Sequence, residues 1–85
     1  MAEFTTDDLR RIIRATVGVD DSVDLDGDIL DVPFTDLGYD SLAVLEVANK
    51  IEKELAVSVP DGAVGDMETP RDTIDYVNRQ LSTAV

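Results

Sequence analysis

The stretch Asp36-Leu37-Gly38-Tyr39-Asp40-Ser41-Leu42 marks the place where an acidic turn becomes a helix. Gly38 allows a tight backbone turn. Asp40 and Ser41 are both residue types that cap a helix, because a short oxygen-bearing side chain satisfies the free N–H groups of the first turn. The helix they open is predicted to start at Asp40 or Ser41 and to run to about Leu55. At 100° per residue it has two faces. Val44, Val47, Ala48, Ile51 and Leu55 form a broad apolar face for a core, while Leu42, Leu45, Glu46, Asn49 and Lys53 fall on the other side. Two leucines beside Ser41 are thus left outside the core stripe, within an acidic rim of Asp40 and Glu46, an arrangement suited to a small interface.

Other elements flank this helix. Upstream, Thr5 with Asp8 three residues later and Phe4 before Leu9 reads as a capping box with a hydrophobic staple. Leu9, Ile12, Ile13 and Thr16 or Val17 then line one face of a helix ending near Gly18. Arg10, Arg11 and Arg14 lie on the opposite face, read as a solvated surface. From Gly18 to Thr35 no helical period persists, yet Val23, Leu25, Ile29, Leu30, Val32 and Phe34 are too apolar for a disordered linker, so a long ordered loop is expected. Downstream, Val57-Ser58-Val59-Pro60 alternates like a strand but has no partner to pair with, and is expected to be an extended connector. Asp61 to Asp66 forms at most a short helix weakened by Gly62 and Gly65, each costing about 1 kcal/mol relative to alanine. A last helix has Thr69 as cap, Pro70 at its first position, Asp72 at the third, and an inner face of Ile74, Val77 and Leu81. The expected fold is all-α: a small bundle of three amphipathic helices plus one short helix, with a long loop between the first two, forming one domain over residues 1–85.

Composition narrows the chemistry. The chain has 85 residues, 19 acids against 7 bases and a formal charge of −12, with nine acids and no base between Ala15 and Asn49. Nucleic acid and anionic membrane surfaces are repelled by such a surface, whereas basic patches on other proteins are its natural complement. Histidine and cysteine are absent, which removes the commonest general base, the soft metal ligands and the strongest neutral-pH nucleophile. Asp24, Asp26 and Asp28 with Gly27 fit the middle of a calcium loop, but its first position is Ser22 and its twelfth Pro33, so the bidentate glutamate is missing and no metal site is assigned. Neither a secretory pattern nor an apolar run of some 20 residues is present, and the expected location is the cytoplasm.

The string around Ser41, with Glu46 five residues on, closely resembles the attachment site of acyl carrier proteins. The resemblance implies that Ser41 anchors a 4′-phosphopantetheine arm, taken from coenzyme A, whose thiol carries acyl groups as thioesters; Asp40, Leu42 and Glu46 match the family's neighbouring positions. Gly38-Tyr39-Asp40-Ser41-Leu42-Ala43 looks more like the carriers of aromatic (type II) polyketide synthases than those of fatty acid synthesis. The resemblance implies a non-catalytic, monomeric subunit. Its implied partners are a phosphopantetheinyl transferase and synthase enzymes with basic docking patches: ketosynthase/chain-length factor, acyltransferase and ketoreductase. Asp40, Leu42, Leu45, Glu46 and Asn49 are the expected docking residues.

One pair of polar residues offers a link to cargo. In the last helix Asn78 lies about 40° and Arg71 about 60° from the inner-face direction. They either bond loop carbonyls or line a cleft and hydrogen-bond the ketones of an acyl chain. Two other readings of the whole chain stay open: a carrier of fatty acid synthesis, and a helical interaction or calcium-responsive module without a cofactor.

Overall fold

The computed structural model describes residues 3–18, 25 and 27–83. Residues 19–24 and 26, with Ser22, Val23, Asp24 and Asp26 of the acid-rich loop, lie outside the described residues. Four helices appear in the order α1 (Thr6–Thr16), α2 (Ser41–Leu55), α3 (Asp61–Val64) and α4 (Pro70–Thr83), with no strand among the described residues. None of these helices is long and apolar enough to cross a membrane.

Local chemistry sets each boundary. Thr5 caps α1: its hydroxyl accepts from the Asp8 N–H at 3.2 Å, and the Asp8 carboxylate accepts from the Thr5 N–H at 3.1 Å. These two bonds satisfy first-turn donors that the helix itself leaves free. The same reciprocal box opens α4, between Thr69 and Asp72 at 3.2 and 3.3 Å, with Pro70 at the first helical position, where its missing N–H costs nothing. The third helix is shorter than the expected Asp61–Asp66. It has no side-chain cap and no residue buried in the core, so nothing extends it past the turn at Gly65.

Helix α1 packs on α2 and α4, and α3 packs on α2. Leu9, Ile12 and Ile13 of α1 meet Val44, Val47, Ala48 and Ile51 of α2 in one apolar cluster, to which α4 adds Val77. Val57 and Val59 are buried with them, so the alternating connector serves the core without pairing. The Glu52 carboxylate accepts from the Val59 N–H at 3.0 Å and fixes that extended run.

The first loop is fastened at several points. The Phe34 N–H donates to the Glu68 carbonyl and the Arg71 N–H to the Leu30 carbonyl, both at 2.9 Å. Arg10 corrects the expectation of a solvated arginine face on α1. Its side chain is only 18% exposed, and its guanidinium donates to the carbonyls of Leu25 and Gly27, both at 2.8 Å, and to the Asp7 carboxylate. A planar fork with five donors suits a bracket between helix and loop. Arg11 is exposed and pairs with Glu54 on α2 at 3.2 Å. That bond, and then the glutamate's charge, hold its guanidinium above the usual value.

Candidate functional site

The turn that delivers Ser41 is a single helical turn closed by glycine. From Pro33 to Leu37 the backbone bonds in helical fashion; the Gly38 N–H then reaches the Thr35 carbonyl at 3.1 Å and the Tyr39 N–H the Phe34 carbonyl at 2.9 Å. This pair of bonds is the Schellman pattern, which requires a left-handed residue at its hinge. Gly38 supplies it, with φ +88°. Phe34, Leu37 and Tyr39 are buried in the same cluster as the helices, so the turn is seated on the core and the residues after it have a fixed origin.

Asp40 follows as the N-cap of α2, its carboxylate accepting from the Ala43 N–H at 2.9 Å. Ser41 is therefore the first helical residue and not the cap. It is exposed, and α2 does not draw on its hydroxyl to start. Leu42 stands out in solvent at 62% exposure.

Beside Ser41 lies an open hollow of about 680 Å³. Ser41, Leu42 and Leu45 line it from α2 with the cap residue Asp40, Phe34 and Thr35 from the preceding turn, and Val64, Met67 and Glu68 from the segment after α2. Its lining mixes apolar side chains with Thr35, Asp40, Asp61 and Glu68. Of the expected docking residues, the structure brings Asp40, Leu42 and Leu45 to its edge. Leu45 is half-buried, while Glu46 and Asn49 are exposed, and Asn49 borders a separate hollow with Glu52 and Lys53.

Arg71 and Asn78 do not line the hollow beside Ser41. The Asn78 side-chain oxygen accepts from the Phe4 N–H at 2.8 Å, and its side-chain nitrogen donates to the Phe4 carbonyl at 3.0 Å. Arg71 pairs with Asp31 of the first loop through bonds of 2.7 and 3.2 Å. That hydrogen bond, opposed by desolvation and helped by the arginine's charge, holds the Asp31 carboxyl below its usual range. Arg71 is raised in turn, first by the bond to Asp31 and then by its charge. Asn78 thus bonds a backbone carbonyl, that of Phe4, whereas the Arg71 side chain bonds a loop carboxylate rather than a loop carbonyl.

Sequence reasoning missed Tyr39 as a structural link. Its hydroxyl donates to the Gly18 carbonyl, at the end of α1, at 2.9 Å. It also missed Phe34, Val64 and Met67 as walls of the hollow; their apolarity was legible, but not the place where they converge.

Residues 7–77 match the family described as phosphopantetheine attachment site. The chain is 54% identical over 78 residues to the granaticin polyketide synthase acyl carrier protein of Streptomyces violaceoruber, with 92% of each chain covered. It is 48% identical over 81 residues to the actinorhodin polyketide synthase acyl carrier protein of Streptomyces coelicolor, covering 95% of this chain and 94% of that one. The solution structure of the 3-oxo-butyl form of that actinorhodin carrier matches with a TM-score of 0.89 at 46% identity, both chains fully covered. A cap provided by Asp40, a serine left exposed one residue later and this likeness along the whole length lead to one conclusion: the chain belongs to the acyl carrier proteins, a phosphopantetheine-bearing family of carriers rather than catalysts, and is most like those of polyketide synthases.

Proposed function

We propose that residues 1–85 act as one carrier domain in which Ser41 bears 4′-phosphopantetheine and presents a growing polyketide chain to the enzymes of a synthase. The observation that carries this reading is the division of labour at the start of α2: Asp40 caps the helix and Ser41, exposed beside the hollow, is left to be modified.

The residues present fit the group. An exposed primary hydroxyl can form a phosphodiester, and in the first turn of a helix the free N–H groups and the helix dipole partly offset its charge. Asp40 opposes that charge, so the site is a mounting point and not a tuned anion pocket. When bound, the group supplies a thiol that holds acyl cargo, a function this cysteine-free chain cannot provide from its own side chains. The chain's own contribution is mechanical and electrostatic. The seated turn from Pro33 to Tyr39 fixes where Ser41 stands, Asp40 keeps the helix end formed, and the mixed lining of the hollow offers a resting place that is partly shielded from water.

As a carrier the protein meets a phosphopantetheinyl transferase and synthase enzymes. Its docking surface in this reading is Leu42 and Leu45 as apolar anchors with Asp40, Glu46 and Asn49 around them, facing basic patches on ketosynthase/chain-length factor, acyltransferase and ketoreductase partners. Contacts of this size release quickly, which suits a monomeric shuttle that visits several enzymes in turn. We place it in the cytoplasm, with the coenzyme A on which attachment depends.

The test is incubation with coenzyme A and a phosphopantetheinyl transferase, read by intact mass. The wild-type chain gains one phosphopantetheine and Ser41→Ala gains none. Modification that persists in Ser41→Ala removes the assignment.

A further inference from the structure

The first turn of α2 begins outside the core. Ser41 and Leu42 are exposed, Ala43 is partly buried, and Val44 is the first buried residue of the helix. Asp40 bonds the Ala43 N–H, a contact within the same turn, so it forms the helix end without fastening it to the rest of the molecule. Whatever holds the Ser41 side of this turn has to come from the residues before it.

Tyr39 is the last residue seated in the core ahead of Ser41, and it is held from three directions. Its N–H donates to the Phe34 carbonyl at 2.9 Å, within the turn closed by Gly38. Its ring is buried and borders, with Ile13 and Val47, a narrow crevice between α1 and α2. Its hydroxyl donates to the Gly18 carbonyl at 2.9 Å, 21 residues away. Gly18 is itself anchored, because its N–H donates to the Ile13 carbonyl at 3.0 Å. With φ at +77° it turns the peptide that ends α1, a conformation open to glycine at little cost. Helices α1 and α2 run antiparallel, with Arg11 meeting Glu54 toward one end of the pair and Gly18 meeting Tyr39 at the other. The tyrosine is thus a strut from the last peptide of α1 to the first turn of α2.

Attachment asks this helix end for placement. The Ser41 oxygen has to bond the pantetheine-side phosphorus of coenzyme A as the bond from that phosphorus to the bridging oxygen breaks; the adenosine bisphosphate half leaves, and the hydroxyl proton passes to the transferase. Displacement at phosphorus runs with the attacking and leaving oxygens roughly in line. A misplacement of about 1 Å can cost about a hundredfold in rate. An exposed hydroxyl at a helix end meets that demand only when the backbone beneath it is held.

We infer that Tyr39 is a positioning residue for attachment: through its bond to Gly18 it holds the backbone at Asp40, and with it the Ser41 hydroxyl, in line for phosphoryl transfer. The inference rests on Ser41 being the attachment point. It sets Tyr39 apart from Leu42, Leu45 and Glu46, which govern how the transferase docks and not how the hydroxyl is aimed.

The experiment follows intact mass in single turnovers of the full chain with coenzyme A and rising concentrations of a phosphopantetheinyl transferase. The plateau rate reports the aligned step and the half-saturation concentration reports docking. A wild-type chain that gains no mass overturns the attachment reading itself, before any question about Tyr39. Tyr39→Phe removes one hydroxyl and keeps the ring. Tyr76→Phe makes the same change at a hydroxyl that donates to the Ser58 carbonyl at 3.4 Å and does not border the hollow beside Ser41. Gly18→Ala perturbs the acceptor end; an added Cβ has open space there, so the effect comes from the backbone conformation alone. Expected is a plateau rate about tenfold lower in Tyr39→Phe and in Gly18→Ala with half-saturation unchanged, a split that a general loss of stability does not produce. Tyr76→Phe should behave as the wild type. The double variant Tyr39→Phe/Gly18→Ala should be no slower than either single one, because both changes cut the same bond. Amide-nitrogen relaxation should show Ser41 and Leu42 more mobile in Tyr39→Phe and unaltered in Tyr76→Phe. A wild-type plateau rate in Tyr39→Phe or Gly18→Ala, an equal loss in Tyr76→Phe, a loss carried by half-saturation alone, or additive losses in the double variant would each overturn the inference. Should Tyr39→Phe lose its fold, Gly18→Ala cuts the same bond from the other end and is held to the same outcomes.

Discussion

The side-chain amide of Asn78 closes a two-bond ring with the backbone of Phe4, accepting from its N–H at 2.8 Å and donating to its carbonyl at 3.0 Å, across 74 residues. Phe4 is 3% exposed, so its peptide groups cannot turn to water if the amide is lost. Asn78→Leu should cost about 1–3 kcal/mol, the penalty for unsatisfied buried groups. It should leave cargo preference unchanged, because Asn78 does not border the hollow. Urea unfolding measures the first and cargo contacts by NMR the second; wild-type stability with a shift toward saturated chains would return Asn78 to the cargo site.

Arg10→Lys should destabilise the protein by about 2 kcal/mol, since a single ammonium cannot reach the Leu25 and Gly27 carbonyls and the Asp7 carboxylate in the fork geometry. Amide exchange in the first loop should quicken alongside. A lysine variant as stable as the wild type would show that the bracket contributes nothing.

At the start of α2 the neighbouring residues should behave oppositely. Asp40→Ala removes the bond to the Ala43 N–H and should lower stability by about 1 kcal/mol. Ser41→Ala should change it by less than about 0.5 kcal/mol, as alanine is a good helix former and the cap is untouched. Thermal unfolding of both unmodified variants decides the matter; equal losses would mean that Ser41 shares the capping.

Glu46 is exposed on the face outside the core. Glu46→Lys should therefore leave the melting temperature near the wild-type value but slow acyl transfer to a synthase partner, with the deficit shrinking as salt is added. A deficit that ignores ionic strength would point to a lost contact and not to a reversed steering charge.

The pairing of Asp31 with Arg71 gives a signed acid response. Because the folded protein holds the Asp31 carboxyl below its usual value, the unfolded chain binds that proton first as pH falls. The pair's contribution is thus present at neutral pH and is lost below about pH 4, as pH drops through the folded value. Asp31→Asn should destabilise slightly at neutral pH and flatten this step. A variant with an unaltered acid limb would show the pair to be energetically silent.

The helices were legible because their signals are local. Thr5 with Asp8, and Thr69 with Pro70 and Asp72, announce their caps within four residues, and the two faces of α2 follow from a constant 100° step. The site was legible for the same reason, since Gly38, Asp40 and Ser41 are consecutive choices of one short turn. What escaped was every bond whose partner lies far along the chain. Helical geometry set Asn78 at the edge of the inner face, but no periodicity tells that Phe4 arrives there with its peptide groups unpaired. Arg10 looked solvated because its partners are loop carbonyls, which carry no side-chain signature. Tyr39 read as a mark of subfamily, although its hydroxyl joins the turn before Ser41 to the end of α1.

Because the carboxylate of Asp40, and not the hydroxyl of Ser41, starts α2, esterifying that hydroxyl removes no bond on which the helix depends. Any coupling between folding and modification then comes only from what the arm meets in the folded protein, namely the N-terminal dipole of α2, the Asp40 charge and the hollow, and by reciprocity it acts equally on stability and on the free energy of attachment. The cap of α2 itself is thus indifferent to loading, and a difference in stability between the bare and loaded forms would report those contacts alone.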